Sequence, residues 1–325
     1  MKYFVRFVLF GVLNLWAFRG NAQTKKWVFS QPKMGSSFTI QVYSADSLLV
    51  ANTVAKAFAA VDSLNLAFSD YLPNSELSQL AVKSGQWVKV SKDFFTILQI
   101  SKKAYMLSDG AFDISLGQLT KTWRKARKTN EFPSKSTIQN ARNLTGMQYL
   151  ELDEKQQRAK ITKAGIWLDL GGIGKGYAAQ KMMEIMQANG LNLCLCDAAG
   201  NMAIGDTPSD KKGWQIAVAM PNNQEQLYDK MLTLKNIAIS TSGDIFQFMT
   251  HQGKRYSHII DPKTGFGLQH QRQVTIICKD ATEADWLSTA CSVLTIQKAK
   301  KLAKKMKAKL LILEAKNQKI NVIEF

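Results

Sequence analysis

Apolar residues recur along this chain with two different periods, and each period predicts its own kind of element. Between residues 49 and 66 the apolar side chains return every three or four positions, as Val50, Val54 and Ala57 do. This spacing places them on one face of an amphipathic helix. Similar patterns predict further helices over 93–107, 177–188, 282–294 and 297–307.

A period of two predicts half-buried antiparallel strands elsewhere. The segments concerned are 27–30, 38–43, 150–152, 160–163, 215–220, 274–278, 310–314 and 320–323. Strands and helices mix without strict alternation, which favours the α+β class, with mixed and largely antiparallel sheets, over a doubly wound parallel sheet. We expect the polar, basic stretch 121–143 to be a loop-rich excursion from the main sheet and the one candidate break between two lobes.

The first 22 residues have the pattern of a secretory signal. Lys2 and Arg6 flank the start of an apolar run over 7–18, and small residues lead up to Ala22. The run is short for a transmembrane helix, so it predicts cleavage after Ala22, with an uncleaved anchor as the alternative. No later apolar run is expected to approach the length of a membrane span. The mature chain is therefore expected to be exported, either periplasmic or attached to the outer face of the inner membrane.

The chain is basic, with a formal net charge of +18 at pH 7. Such an excess attracts nucleic acid, an anionic membrane surface or an anionic small molecule. The densest basic run, 298–309, carries Leu302 and Met306 four residues apart, as an amphipathic helix with a solvated lysine face does. A second run, 121–128, lacks the repeated aromatic residues of a single-strand binding platform. Nucleic-acid binding is therefore not expected, whereas contact with a membrane surface stays open.

The four cysteines do not have the spacing of a metal site. Cys194 and Cys196 share one face of a strand-like run, where neighbouring thiols are poorly placed for a disulfide. We expect buried thiols, with a bond from Cys278 or Cys291 to one of them as the alternative in an exported protein.

A glycine-rich segment, 169–177, carries four glycines and Lys175 between an apolar strand-like run, 166–168, and a predicted helix. A strand, a glycine turn and a helix N-terminus together form an anion site. A P-loop is excluded because Gly176 stands where that motif needs Ser or Thr, and the third glycine of a dinucleotide fingerprint is absent. A tight turn without a ligand is the alternative.

Oxygen-bearing and titratable residues follow in three further segments. Asp285 and Thr289 are four residues apart on a predicted helix, so their oxygens share a face suited to Mg²⁺, with Ser288 beside them. A carboxylate that only stabilises the helix N-terminus is the alternative. His258 lies in a Pro- and Gly-containing turn as an acid–base candidate or a structural turn residue. Residues 240–244 are expected to form a polar loop that could line a ligand pocket, and Tyr71 and Phe112 are either stacking or core aromatics.

Taken together and in order, these segments resemble the flavin transferases of the ApbE type, which move FMN from FAD onto a protein. The resemblance covers nearly all of the chain after the signal segment. It rests on 34–36, 71–76, 109–113, 169–177, 240–243, 258–265 and 285–289. It implies a two-lobed, T-fold-like architecture and one catalytic unit over 23–325. It also implies a Mg²⁺-dependent transfer in which a Ser or Thr hydroxyl of an acceptor attacks the FMN-side phosphorus of FAD and AMP departs.

The resemblance also implies the site residues. Contacts with FAD are implied for Met34, Tyr71, Ala111, Phe112, Asp113, Asp169, Lys175 and Ile259. Mg²⁺ ligands are implied at Asp285, Thr289 and the backbone carbonyl of Gly172, with Ser288 as a further candidate. His258 is the candidate for assisting the acceptor hydroxyl or the leaving phosphate.

The chain departs from the family pattern at two places. It has Ala199-Gly200-Asn201 where Gly-Gly-Asp is frequent, and Gln180 where an acidic residue is common. Either change can alter FAD affinity or acceptor docking. The implied acceptor is a subunit of a membrane redox complex that carries a Ser/Thr flavinylation motif. A Mg²⁺-dependent FAD pyrophosphatase and a non-catalytic exported flavin-binding protein are the alternative functions.

Overall fold

The computed structural model describes residues 24–221, 228–244, 247–316 and 319–325. The expected signal segment, 1–22, lies outside the described residues. The described strands are β1 (Lys25–Lys33), β2 (Ser36–Ser44), β3 (Val88–Lys89), β4 (Leu150–Asp153), β5 (Arg158–Ile161), β6 (Cys194–Ala198), β7 (Asn201–Ile204), β8 (Trp214–Ile216), β9 (Leu232–Leu234), β10 (Ile237–Ser242), β11 (Phe248–His251), β12 (Lys254–Ser257), β13 (Gln271–Cys278), β14 (Lys309–Lys316) and β15 (Lys319–Glu324).

The α-helices of the described residues are α1 (Ser47–Phe68), α2 (Glu76–Val82), α3 (Lys92–Leu107), α4 (Gly117–Thr129), α5 (Lys135–Arg142), α6 (Gly174–Ala188), α7 (Ala281–Val293) and α8 (Ile296–Lys305). Several of them begin where a short polar side chain caps the first turn. Asp46, for example, accepts from the backbone N–H of Leu49 before α1, and Asp280 accepts from that of Glu283 before α7.

The main sheet has the strand order β1-β2-β6-β7-β10-β13-β14-β15 in the part of the chain that the structure describes. Every neighbouring pair in it is antiparallel. Helices α1, α6 and α7 cover one face and bury the main core, which includes Phe38, Ile40 and Trp286. On the other face Trp214 and Ile216 of β8 pack over Leu195 and Ile239. The predicted α+β class with antiparallel sheets is confirmed.

The polar loop expected over 240–244 is partly a strand, because residues 240–242 pair with β13 as the end of β10. Four further sequence-based expectations about local structure are wrong. Residues 121–143 are mostly helical rather than loop-rich, because Trp123 and Ile138 bury one face each of α4 and α5 in a second apolar cluster. Residues 166–168 do not pair with another strand. Their backbone makes isolated hydrogen bonds instead, such as the one from the Gly117 N–H to the Trp167 carbonyl at 3.0 Å. The strand predicted over 215–220 is shorter and ends as β8 at Ile216.

The fourth wrong expectation concerns apolar length. Helix α1 is long and apolar enough to cross a membrane by length and composition, with a mean hydropathy of 1.3 over its best window. A core helix passes the same test, and the buried face of α1, with Val50, Val54 and Phe58, belongs to the main core. The expectation of buried thiols is confirmed, since Cys194, Cys196, Cys278 and Cys291 are all free and buried.

Candidate active site

The glycine-rich segment leads directly into α6, and its last glycine determines how closely α6 and α7 pack. A Cβ on Gly176 would lie 2.3 Å from the carbonyl oxygen of Ala281 and 2.5 Å from Cβ of Asp285. Only glycine permits this approach. The backbone N–H of Gly176 donates to Oδ2 of Asp285 at 2.7 Å, so the first turn of α6 holds the carboxylate of α7 in place.

Asp285 is buried, with 4% of its surface exposed. Burial raises the pKa of its carboxyl to about 6, while the positive charge of Lys175 and the hydrogen bond from Gly176 act in the opposite direction. A carboxylate in this position gains from a nearby cation, which would offset the cost of burying its charge.

Gly172 and Thr289 meet at the same place. A Cβ on Gly172 would lie 3.1 Å from Oγ1 of Thr289 and 3.3 Å from the ring of Phe112. Thr289 follows Asp285 by one turn of α7, so the helix presents both oxygens on one side. The three predicted ligand positions, two on α7 and one in the glycine turn, therefore converge.

A row of hydroxyl groups lies beside these predicted ligand positions. This hydroxyl row comprises Ser240 and Ser242 of β10 and Ser288 and Thr289 of α7. Ser242 Oγ lies 2.7 Å from Ser288 Oγ and 3.3 Å from Thr289 Oγ1. Ser288 is fully buried and donates its only proton to the carbonyl oxygen of Asp285 at 2.8 Å. Ser242 must therefore be the donor to Ser288, which leaves its own lone pairs free to accept from Thr289.

The hydroxyl row ends at Asn201, one of the two departures from the family pattern. Ser240 Oγ donates to Oδ1 of Asn201 at 2.6 Å and lies 3.1 Å from Ser288 Oγ. The neutral amide oxygen of Asn201 accepts this proton. The hydroxyl row therefore ends without a buried carboxylate in addition to that of Asp285. The other departure, Gln180, accepts the backbone N–H of Ala281 at 3.1 Å and so binds the start of α7.

The donor set fits a hard cation. In residues 24–221, 228–244, 247–316 and 319–325, no group of three or more His, Cys, Asp or Glu residues could hold a metal. The candidate set instead combines one buried carboxylate with a threonine hydroxyl and a backbone carbonyl, all oxygen donors. Mg²⁺ accepts such a sparse protein set because it keeps several waters or takes phosphate oxygens from a substrate. Ser288 has its own partners within the hydroxyl row, and its part as a ligand stays a prediction.

Two predicted FAD-contacting carboxylates shape the neighbouring turns. Asp169 Oδ1 accepts from the backbone N–H of Gly171 at 2.7 Å, which bends the chain into the glycine turn. Asp113 Oδ1 accepts from both the N–H and the hydroxyl of Ser115, at 2.7 and 2.6 Å. Burial raises the pKa of Asp113, and the two bonds from Ser115 lower it.

The two aromatic candidates differ in exposure. Phe112 is buried, as is its neighbour Ala111, and its ring lies 6.1 Å from that of Trp286 on α7. Phe112 therefore belongs to the core as well as bordering Gly172. Tyr71 is 70% exposed and carries the guanidinium of Arg124 over its ring at 4.1 Å, so its free face can stack on a ligand ring.

His258 is placed by two contacts with the carbonyl of Gln247. Its backbone N–H donates to that oxygen at 2.7 Å, and its Nδ1 lies 3.2 Å from it. Burial, together with the nearby charges of Arg127 and Lys175, lowers the pKa of the imidazole to about 4, while the hydrogen bond with the Gln247 carbonyl and the charge of Asp244 oppose this shift. His258 is therefore neutral near pH 7 and able to accept a proton. The charge of Lys175 lowers the pKa of both His258 and Asp285, so Lys175 is near both groups.

The remaining predicted residues lie at the border of this arrangement. Ile259 is half-buried next to His258, and its N–H donates to Ser257 Oγ at 3.0 Å. Met34 occupies the β1–β2 turn with a φ of 47° and packs against the main core. Their contacts with FAD stay predictions.

Sequence reasoning missed the cationic face of α4. Lys121, Arg124 and Arg127 recur every three residues and share one side of that helix. The three-residue spacing is visible in the sequence. It indicates a shared face only in a helix, however, and the stretch was expected to be a loop.

A sequence model described as the ApbE family matches residues 34–312. The chain belongs to the ApbE family. Among similar proteins, the FAD:protein FMN transferase of Haemophilus influenzae is 26% identical over 293 residues, which cover 87% of this chain and 85% of that protein. One from Klebsiella pneumoniae is 28% identical over 278 residues, covering 83% and 79%.

Solved structures agree with this assignment to the ApbE family. The apo form of the Pseudomonas stutzeri flavinyl transferase ApbE superposes with a TM-score of 0.81 at 27% identity, covering 93% of this chain and 95% of that one. An ApbE protein from Thermotoga maritima gives a TM-score of 0.82 at 28% identity, covering 92% and 97%. The resemblance noted in the sequence and the assignment as a transferase enzyme are confirmed.

Proposed function

We propose that this ApbE-family enzyme is a Mg²⁺-dependent FAD:protein FMN transferase that releases AMP. The observation that carries the proposal is the convergence of Gly172, Asp285 and Thr289 at the junction of α6 and α7, beside Lys175. Relatives named FAD:protein FMN transferase over more than four fifths of this chain support the flavinyl transfer. The oxygen donor set supports the metal.

The reaction joins the hydroxyl oxygen of an acceptor Ser or Thr to the FMN-side phosphorus of FAD. The bond from that phosphorus to the bridging oxygen breaks, and AMP leaves with the electron pair. Asp285, Thr289 and the Gly172 carbonyl would hold Mg²⁺, which when bound neutralises charge on the diphosphate. Lys175 adds a second positive charge near the same oxygens.

His258 serves as the proton acceptor in this scheme. Its imidazole is neutral near pH 7 because burial and two neighbouring cations lower its pKa to about 4. A low pKa makes the imidazole a weak base in the free enzyme. The two negative charges of a bound diphosphate would offset the cations and raise the basicity of His258 when substrate is present.

The proposed acceptor rests on the resemblance to the family, and the proposed location rests on the signal-like pattern of the first 22 residues. We propose a flavoprotein subunit of a membrane redox complex as the acceptor, carrying a short Ser/Thr motif, and a site of action outside the inner membrane after export. The catalytic unit would span 23–325.

Incubation of the mature protein with FAD and Mg²⁺, with and without an acceptor domain, tests the function. AMP release only with acceptor, together with a flavin-labelled acceptor band, is the expected result. AMP and free FMN without acceptor would indicate a pyrophosphatase, and bound FAD without AMP a flavin-binding protein.

The metal site is tested by Asp285→Asn, which keeps the shape of the side chain and removes its charge. Loss of a preorganised charge at the reacting phosphate should lower the transfer rate by on the order of 10²-fold or more. Glu283→Gln, two residues earlier on α7, is the matched control and should keep the rate. Full Mg²⁺-dependent activity of Asp285→Asn would refute the assignment.

A further inference from the structure

Three cations line one face of α4, and two of them have protein partners. Nζ of Lys121 lies 3.0 Å from the centre of the Trp167 ring, and Arg124 pairs with Asp70 at 2.9 Å. Arg127 is different. Its Nη1 is buried and has no hydrogen-bond partner within the described part of the chain. A buried cationic donor without an acceptor costs free energy, which an anion bound at this place would offset.

Aromatic packing fixes where this guanidinium lies. Trp123, four residues before Arg127, stacks on Tyr256 with ring centres 5.7 Å apart and donates from its indole N–H to the Gly265 carbonyl at 2.8 Å. Tyr256 belongs to β12, which ends one residue before His258. Helix α4 is therefore held against the strand that leads into His258.

The charges around His258 agree with this placement. Arg127 is the largest charge effect that lowers the pKa of His258, and it also interacts with Arg124 and Tyr71. Arg127 is thus near enough to both Tyr71 and His258 to interact with each of them by charge.

Two carboxylates near this place are already paired with cations. Asp70 is bound by Arg124, and Asp244, which is 4% exposed, is bound by Arg255 at 3.2 Å. Arg127 and Lys175 act on His258 by their positive charge, whereas Asp70 and Asp244 are paired with other cations. An anion with more than one charge and oxygen acceptors is the ligand that fits.

We propose that Arg127 binds a phosphate oxygen of the FAD diphosphate and so makes the site selective for the dinucleotide over the bare flavin. This inference rests on the proposed function, because it takes FAD as the substrate. The diphosphate is the charged part of FAD, whereas the isoalloxazine ring is neutral and would meet the face of Tyr71 instead. Arg127 is then a binding residue that acts before any transfer takes place.

The test compares two ligands that share the flavin ring but not the diphosphate. Titration of the mature protein with FAD and with riboflavin, followed by flavin fluorescence without acceptor, gives both dissociation constants. Arg127→Met should weaken FAD binding by about 10- to 100-fold, the range for a hydrogen bond to a charged group, and leave riboflavin binding unchanged. Arg127→Lys should recover part of the loss. Lys128→Met is the matched control, since it removes one charge from an exposed position on the same helix and should change neither constant.

Each other outcome is decisive. Equal loss for FAD and riboflavin would place Arg127 at the flavin ring or in the fold, and an unchanged FAD constant would remove it from the site. A lower unfolding midpoint of ligand-free Arg127→Met would indicate a structural role; removing an unpaired buried charge should leave that midpoint unchanged or raise it. A wild type that binds FAD but transfers no FMN would refute the transfer and leave this inference intact, whereas one that binds no FAD would refute both.

Discussion

Gly176→Ala should separate two helices that the active site needs in contact. The added Cβ would lie 2.3 Å from a backbone oxygen, Ala281 O, and so about 1 Å short of the 3.4 Å at which ordinary contact begins. Backbone atoms cannot rotate away, so α6 and α7 must move apart. Overpacking of this kind costs about 1–3 kcal/mol of unfolding free energy. A weakened hydrogen bond from the Gly176 N–H to the buried Asp285 carboxylate adds about 1.5–3 kcal/mol.

The same helix offers a matched control two residues away. A Cβ on Gly174 would meet its nearest atoms, in Phe68 and Leu170, at 3.8 and 3.9 Å, which is ordinary van der Waals contact. Gly174→Ala therefore adds no clash, and it gains up to about 1 kcal/mol from the higher helix propensity of alanine. The two substitutions change the same atoms in the same helix and should have opposite signs.

Urea unfolding of both variants and the wild type measures the free energies, and calorimetric titration with Mg²⁺ measures the site. We expect Gly176→Ala to be less stable than Gly174→Ala by about 2 kcal/mol or more and to bind Mg²⁺ more weakly. Equal stability of the two variants would refute the close packing at Gly176. A destabilised Gly176→Ala with unchanged Mg²⁺ affinity would refute the link from this packing to Asp285.

Two further predictions concern the hydroxyl row and the histidine. Ser242→Ala removes the hydrogen-bond acceptor of Thr289 and the donor to Ser288, so it should lower the unfolding free energy by about 1 kcal/mol. It should also weaken Mg²⁺ binding in calorimetry. An unaltered Mg²⁺ affinity would show that the hydroxyl row does not contribute to metal binding. The pKa of His258 is about 4 in the folded protein and 6.5 in an unperturbed side chain, so the unfolded chain takes up a proton between these values that the folded protein does not. Stability should therefore fall as pH drops from 6.5 to 4, by less than about 1.4 kcal/mol per unit because the side chain is partly exposed. His258→Gln should flatten this slope in urea unfolding at stepwise pH; an unchanged slope would contradict the lowered pKa. The raised pKa of Asp285 acts in the opposite direction over pH 6 to 4 in both proteins, so the difference between them isolates the histidine.

The elements that the sequence predicted well are those whose period alone determines their environment. Helix α1 and strand β2 bury a regular face, so their apolar pattern is visible without knowledge of the partner. Helix α4 was missed because its apolar residues are few. Trp123 and Ala126 bury its inner face against Tyr256 and Phe266, which lie more than 120 residues later in the sequence, and no local pattern reports such a contact.

The candidate site shows the same division between local and distant information. The i,i+4 spacing of Asp285 and Thr289 could be read from the sequence, because a helix fixes the relative placement of its own residues. Which hydroxyl of the row donates and which accepts could not be read from the sequence. These roles depend on Ser240 facing Asn201 across two paired strands, β10 and β7, and on α7 packing over both. The burial of Arg127 Nη1 without a hydrogen-bond partner among the described residues is likewise a property of the assembled fold.

The glycine-rich segment shows why counting glycines could not identify its function. Gly171 lets the backbone turn under the Asp169 carboxylate, and Gly172 leaves room for Thr289 and Phe112. Gly174 meets nothing closer than ordinary contact, whereas Gly176 is required by the opposing helix. A P-loop or a dinucleotide fingerprint uses its glycines to bring backbone N–H groups to a phosphate. In this chain the N–H of Gly176 donates to Asp285 and is not available to a phosphate, and the function proposed above assigns the contact with the diphosphate to a cation at that carboxylate instead.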